Sequence, residues 1–211
     1  MPKKYREVRT ALLEATGRDR RRHEELARQV TELLPGGGEI LEVAPGPGYL
    51  SIALAKSGDY TVTGLDISET FVEIARRNAA EAGVRVDFQH GNASVMPFDG
   101  DSFDLVVCCA AFKNFSQPVR ALQEMLRVLR PGGRALIVDL RRDVSKQAVN
   151  DEVAGMGVGA VSAAFTRFVL RYGLTRRART KQQFEDLVSQ AGFRSVDIRQ
   201  TPMSLEVEMR K

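Results

Sequence analysis

Residues 40–55 constrain the fold of this chain more than any other stretch. Ile40-Leu41-Glu42-Val43 is an apolar run that closes on a carboxylate. Ala44-Pro45-Gly46-Pro47-Gly48 is a turn, and Leu50-Ser51-Ile52-Ala53-Leu54-Ala55 is an apolar run compatible with a helix. Strand, tight glycine loop and helix in succession are the means by which an α/β protein brings its backbone close to a nucleotide-like ligand. A second run, Val62-Thr63-Gly64-Leu65-Asp66-Ile67, carries an acid near its end. Asp66 falls roughly 20 residues beyond the glycines, where such folds grip a ribose diol.

The rest of the chain reads as alternating strands and helices, which predicts a doubly wound, mostly parallel α/β sheet with a small helical cap. An amphipathic helix over 20–34 stops at Pro35-Gly36-Gly37-Gly38. Strands are expected near 39–44, 60–65, 84–89, 103–109 and 134–140, with helices near 48–57, 69–82 and 117–129. Ser68 is the expected N-cap of the helix that Gly83 ends. Residues 143–180 show no clear strand. Glycines 155, 157 and 159 interrupt them, and Ala160–Tyr172 then reads as a helix with Val161, Ala164, Phe165, Phe168, Val169 and Tyr172 on an apolar face. A helix over Gln182–Ala191 precedes two alternating runs, Val196/Ile198 and Leu205/Val207/Met209. They are joined so closely that they should pair antiparallel. This makes seven strands in one domain, divided into an N-terminal helical cap (1–36), a cofactor-binding core (37–140), a helical insertion (141–180) and a C-terminal helix with a strand pair (181–211).

The charge around the first loop discriminates between ligands. A dinucleotide fingerprint needs a third glycine where Ser51 stands. It would also set Glu42 beside a pyrophosphate, an arrangement of like charges. A ligand with an ammonium group and a ribose but no phosphate suits both acids. S-adenosylmethionine has those groups, and the pattern favours it over NAD.

With these residues in place, the chain resembles the class I S-adenosylmethionine-dependent methyltransferases, and among them the small-molecule branch similar to the ubiquinone and menaquinone biosynthesis enzymes. The first motif of that family reads here as Glu42, Ala44, Gly46 and Gly48, and Asp66 matches its ribose-binding acid. Gly91-Asn92-Ala93-Ser94-Val95-Met96-Pro97-Phe98 matches its adenine-bordering G-D-A-x-x-L-P-F loop. Ser102–Val107 matches its fourth strand, and Ala121–Gly133 the helix and turn before its fifth. The resemblance implies a cofactor site of Glu42, Ala44, Pro45, Gly46, Gly48, Asp66, Ile67, Gly91, Asn92, Ala93, Cys109 and Ala110. In it Ile67 packs on the adenine, and Cys109 and Ala110 border the methionine arm. An insertion at 141–180 would cover the acceptor pocket, or else simply pack. Three positions depart from the pattern. Ala44 replaces a glycine, and its methyl group fits there if the backbone keeps a negative φ. Asn92 replaces an acid and is expected to accept from the adenine amino group through its amide oxygen. Lys113-Asn114 replaces a His-His pair, which removes the obvious local base.

Composition narrows the remaining alternatives. The 211 residues are 43% hydrophobic and 27% charged, ordinary for a globular domain. No run approaches a membrane span, and no apolar leader follows Met1. Cys108 and Cys109 are adjacent and fit a reducing cytoplasm. Net charge is +4, with arginines grouped at 18–22 and 176–179, but aromatics do not interleave with those groups, which disfavours nucleic acid. An RNA or DNA methyltransferase and a non-catalytic S-adenosylmethionine-binding protein are the competing readings. HExxH, C-x-x-C and clustered carboxylates are absent, so no metal is expected. The acid–base inventory is thin. His23, Tyr5 and Tyr172 are the leading catalytic candidates, with Arg141 and Lys113 behind them, and Cys109 reads as a filler rather than a nucleophile. The acceptor, the atom methylated and the oligomeric state are not specified by the sequence.

Overall fold

A computed structural model describes residues 17–157 and 159–211. Seven strands form one sheet in the order β3-β2-β1-β4-β5-β7-β6. They are β1 (Gly38–Val43), β2 (Tyr60–Asp66), β3 (Asp87–His90), β4 (Phe103–Cys109), β5 (Leu129–Leu140), β6 (Ser195–Gln200) and β7 (Ser204–Arg210). The first five run parallel, while β7 lies antiparallel to both β5 and β6. This is the expected doubly wound sheet with its reversed last strand.

The parallel strands are buried on both faces and therefore read as nearly continuous apolar runs. β1 ends Leu41-Glu42-Val43 with every residue buried, and β4 buries Leu105 to Cys108. Helices cover the two faces: α1 (Gly17–Leu33), α2 (Tyr49–Lys56), α3 (Glu69–Glu81), α4 (Pro118–Val128), α5 (Lys146–Gly155), α6 (Ala160–Phe168) and α7 (Lys181–Ser189). Leu122, Met125 and Val128 of α4 and Phe184 and Val188 of α7 pack on one face of the sheet. Ala27 and Val30 of α1 and Leu50 and Leu54 of α2 pack on the other. Ser68 caps α3 by accepting from Phe71 N, as expected, and Gly83 at φ +69 follows its end. Thr180 and Gln183 form a reciprocal capping box on α7.

Three expectations are corrected. The third strand pairs only from Asp87 to His90, because Val84 and Val86 serve as partly buried packing on α3 instead. Residues 146–155 form a helix that the apolar pattern did not announce, capped by Ser145 accepting from Ala148 N. The helix at 160–168 continues as a π-helical segment, Val169–Leu174, and its buried side is not the expected one. Ala163 and Leu170 are buried against Val149 and Val153. Phe165, Phe168 and Tyr172 point outward and are 61%, 61% and 49% exposed.

Candidate cofactor site

The loop after β1 is held from four sides. Ala44 N continues the ladder to Leu65 O at 2.8 Å, and Gly48 N closes the turn on Pro45 O at 3.0 Å. Asn78 of α3 donates to Pro47 O at 2.9 Å, and Gly46 N donates to Asp66 Oδ2 at 3.0 Å. Gly48, at φ +81, sits where a β-carbon would come within 2.7 Å of the Phe88 ring. Gly64 in β2 meets the same ring, at 2.5 Å from a notional β-carbon. Phe88 thus fixes two glycines at once. Gly46, at φ +56, has open space where a side chain would go. Its turn is available to a ligand rather than filled by the protein.

Ala44 is a correction: its φ is +59, in the left-handed region rather than at a negative value. With this conformation the turn brings Gly46 N, two residues on, to Asp66, and the alanine carries strain of about 1–2 kcal/mol that glycine would not. Ala110, expected to border the methionine arm, is also left-handed, at φ +55, and stands exposed just beyond β4.

Glu42 is buried at the end of β1 and accepts a hydrogen bond from Ser51 Oγ at 2.5 Å. Ser51 stands where a dinucleotide motif would have its third glycine, so one substitution supplies the partner of the unexpected acid. Burial raises the Glu42 carboxyl to about 7; the Ser51 bonds oppose the shift and the nearby Asp66 charge adds to it. Asp66 closes β2 with its carboxylate between two backbone donors, Gly46 N and Ser68 N, the latter at 2.9 Å. Each oxygen keeps lone pairs for further donors. Ile67, next along, is 68% exposed, a flat apolar surface at the same edge.

The loop over residues 91–98 lies alongside, its first amide donated to Asp66 O at 2.9 Å. A side chain at Gly91 would strike Leu65. The Asn92 amide oxygen accepts from Ser94 N at 2.9 Å as a local turn, and it keeps a second lone pair. Ala93 packs against the core behind it. Two residues whose role sequence reasoning missed clamp this loop. Glu124 accepts from Met96 N at 2.7 Å, and Arg127 donates to Phe98 O and Met96 O while pairing with Glu124.

The loop after β4 is held by a pair that was also missed. Lys113 Nζ bonds Asp139 Oδ1 at 2.8 Å and the carbonyl of Ala110, while Lys113 N donates to Asp139 Oδ2 at 2.7 Å. Both side chains are almost fully buried. Arg179 lies over the Phe112 ring at 5.2 Å, in the same layer. Lys113, a candidate base on sequence grounds, is instead a buried cation that sets the position of Ala110. An acid within the apolar run Ile137-Val138-Asp139-Leu140 was the available signal.

The remaining candidates separate. His23 packs its ring against Tyr49, 5.7 Å between centroids, at the entry to α2 and so beside the glycine loop. Tyr172 lies on the outer face of the π-helical segment, paired with Phe168. Arg141 is bound to Asp143 and to Thr201 O. Tyr5 lies outside the described residues. Cys109 closes β4, half-buried, with Ala110; burial pushes the neighbouring Cys108 thiol far up, leaving it inert. Among the described residues, no cluster of His, Cys, Asp and Glu could hold a metal, and no helix is long and apolar enough to cross a membrane.

The carboxyl ends of β1, β2 and β4 therefore present a buried acid, a backbone-braced acid beside an exposed apolar surface, and two left-handed alanines. This donor set fits an ammonium, a ribose diol and a flat base, and offers no cationic side chain to a diphosphate.

Comparison with known proteins agrees. Residues 40–133 match a family described as a methyltransferase domain. The chain is 45% identical over 103 residues to a demethylmenaquinone methyltransferase of Clavibacter sepedonicus, covering 49% of this chain and 41% of that protein. It is 29% identical over 107 residues to a ubiquinone biosynthesis O-methyltransferase of Coxiella burnetii, covering 51% and 45%. The chain thus spans less than half the length of these curated relatives. In fold, a Methanococcus maripaludis protein described as an S-adenosyl-L-methionine-dependent methyltransferase superposes with a TM-score of 0.76 at 20% identity, over 99% of this chain and 92% of that one. The [4+2]-cyclase SpnF superposes at 0.67 with 21% identity, covering 89% and 80%. The strand order and the acid-flanked glycine loop lie in the segment that is similar to a methyltransferase domain, on a fold shared with structures described as S-adenosyl-L-methionine-dependent methyltransferases.

Proposed function

We propose that this protein transfers the methyl group of S-adenosylmethionine to a small-molecule acceptor of the hydroquinone or phenol class. The observation that carries the reading is the pair of acids at adjoining strand ends, one buried under Ser51 and one braced by Gly46 N and Ser68 N. The relatives named for quinone biosynthesis support the acceptor class.

When bound, S-adenosylmethionine supplies an electrophilic methyl on a sulfonium. Glu42 would hold its ammonium, through the loop it anchors, and Asp66 would accept from both ribose hydroxyls. Ile67 and the 91–98 loop enclose the base. Ala110, positioned by Lys113 and Asp139, borders the methionine arm at the mouth of β4. Holding the acceptor in line with the methyl at near-attack distance can supply on the order of 7–11 kcal/mol without any covalent partner. The acceptor loses a proton as the methyl arrives. A phenol or hydroquinone releases that proton readily, so the site can work with a thin acid–base inventory. His23, its ring tilted against Tyr49 beside the loop, is the proton acceptor assigned by this reading. A cytoplasmic enzyme with no bound metal completes the proposal.

SpnF shows that a fold of this shape is compatible with a name other than methyltransferase, since fold alone does not fix chemistry. Incubation with methyl-labelled cofactor and a panel of hydroquinones, phenols, amines and thiols decides the matter. Label in a hydroquinone or phenol product supports the proposal. Cofactor binding without labelled product in any member supports a non-catalytic binder.

A further inference from the structure

One long segment of this chain is basic and wholly free of acids. Residues 153–184 contain six Lys and Arg and no Asp or Glu, whereas the other 179 residues carry 25 Lys and Arg against 27 Asp and Glu. The same segment bears the three most exposed aromatic side chains among the described residues: Phe165, Phe168 and Tyr172. At about 100° per residue, these three lie roughly opposite the side that buries Ala163 and Leu170. The helix is thus apolar on two faces, one packed and one bare. Phe168 and Tyr172 pack ring to ring at 5.2 Å, and Arg171 sets its guanidinium over the Tyr172 ring at 5.4 Å, on the flank of the aromatic ridge. Arg167, Arg171, Arg176 and Arg177 join no ion pair with the described residues, and Arg176 and Arg177 line a 350 Å³ groove with Arg142 and Arg179.

We propose that residues 160–177 dock on an anionic lipid surface, with Phe165, Phe168 and Tyr172 entering the interface and the flanking arginines meeting lipid phosphates. A bare aromatic ridge bordered by cations, with no acid in the segment, is the pattern of a helix lying in the plane of a bilayer surface. Charge decides between occupants. A second copy of this chain would bring the same uncompensated arginines against themselves, whereas an anionic leaflet neutralises them, at about fivefold in affinity for each basic side chain near the surface. The proposal is independent of the cofactor site.

The chain has no tryptophan, so Phe168→Trp gives a single reporter that keeps the ridge aromatic. Its emission should shift to the blue, and the protein should co-sediment, with vesicles of mixed phosphatidylcholine and phosphatidylglycerol but not with phosphatidylcholine alone. Arg176→Gln with Arg177→Gln should lower vesicle affinity about 25-fold, as should raising the salt. Phe165→Ser with Phe168→Ser should abolish binding while the melting temperature holds. Three outcomes overturn the proposal. The first is emission unmoved by anionic vesicles. The second is a shift with S-adenosylhomocysteine alone, which would make the ridge a lid over the cleft. The third is a dimer in sedimentation that the serine pair dissociates, with no vesicle binding.

Discussion

Replacing Glu42 with Gln tests the electrostatics of the site through the stability of the whole fold. In the unfolded chain this carboxyl ionises near 4.5, whereas burial at the end of β1 raises it to about 7. The folded state therefore holds a proton that the unfolded state has released across that window. Stability falls as pH rises from about 4.5 and the loss is complete above about 7. Holding that proton from about 4.5 to about 7 amounts, at about 1.36 kcal/mol per pH unit, to roughly 3 kcal/mol at alkaline pH. Glutamine is neutral throughout, and its carbonyl oxygen can accept from Ser51 Oγ in place of the carboxylate. The constant cost of seating its amide nitrogen cancels when two pH values are compared. The unfolding free energy of Glu42→Gln minus that of the parent should therefore grow by roughly 3 kcal/mol between about pH 5 and about pH 8.5. In a domain of this size that is roughly 6–12 °C in relative Tm. Urea titrations at the two pH values measure it directly. A difference that stays constant with pH would refute a buried, proton-holding Glu42. The same variant should lose affinity for S-adenosylhomocysteine, and parental affinity should fall about tenfold per pH unit below about 7, since only the carboxylate favours an ammonium.

Three further substitutions probe the loops around the site. Ala44→Gly relieves a left-handed alanine worth about 1–2 kcal/mol but adds freedom to the unfolded chain worth about 0.4–1, so thermal melts should show the variant equal or up to about 1.6 kcal/mol more stable; a variant less stable than the parent would contradict the strain. Lys113→Met leaves Asp139 buried without its cation and should cost about 3–5 kcal/mol in urea titrations, with much of the loss recovered when Asp139→Leu is added; equal stability of single and double variants would contradict the pairing. Arg127→Ala releases the carbonyls of Met96 and Phe98, so amides of residues 91–98 should exchange with solvent faster by hydrogen-exchange mass spectrometry while the sheet is unchanged; unaltered exchange in that loop would argue against the clamp.

Much of the fold is legible in the chain because buried parallel strands must be apolar along their whole length. Ile40–Val43, Leu105–Cys108 and Ala135–Ile137 announce themselves in that way, and the reversed β7 follows from its alternation and the short link to β6. The two acids of the site were legible for the complementary reason, that a carboxylate closing such a run needs a cause. The side-chain pairings that hold the surrounding loops were not. Ser51 bonding Glu42 and Lys113 bonding Asp139 depend on which helix or loop returns over a strand end, a tertiary relation that spacing does not carry. The Phe88 ring filling the space beside Gly48 and Gly64 is of the same kind. Along Ala160–Tyr172 the pattern misled, because apolar residues occupy two opposed faces and periodicity cannot tell which one the protein covers.

The central claim is that Asp66 and Glu42 hold the two ends of one cofactor, and a crystal structure with S-adenosylhomocysteine tests it most directly. Both ribose hydroxyls should lie within hydrogen-bond distance of the Asp66 carboxylate, with the base against Ile67 and the amino group at the Gly46 loop above Glu42. Asp66→Ala should weaken binding by about 100-fold, from the loss of two charge-assisted hydrogen bonds. A cofactor seated away from both acids, or a diphosphate on the Gly46 amide instead, would contradict it.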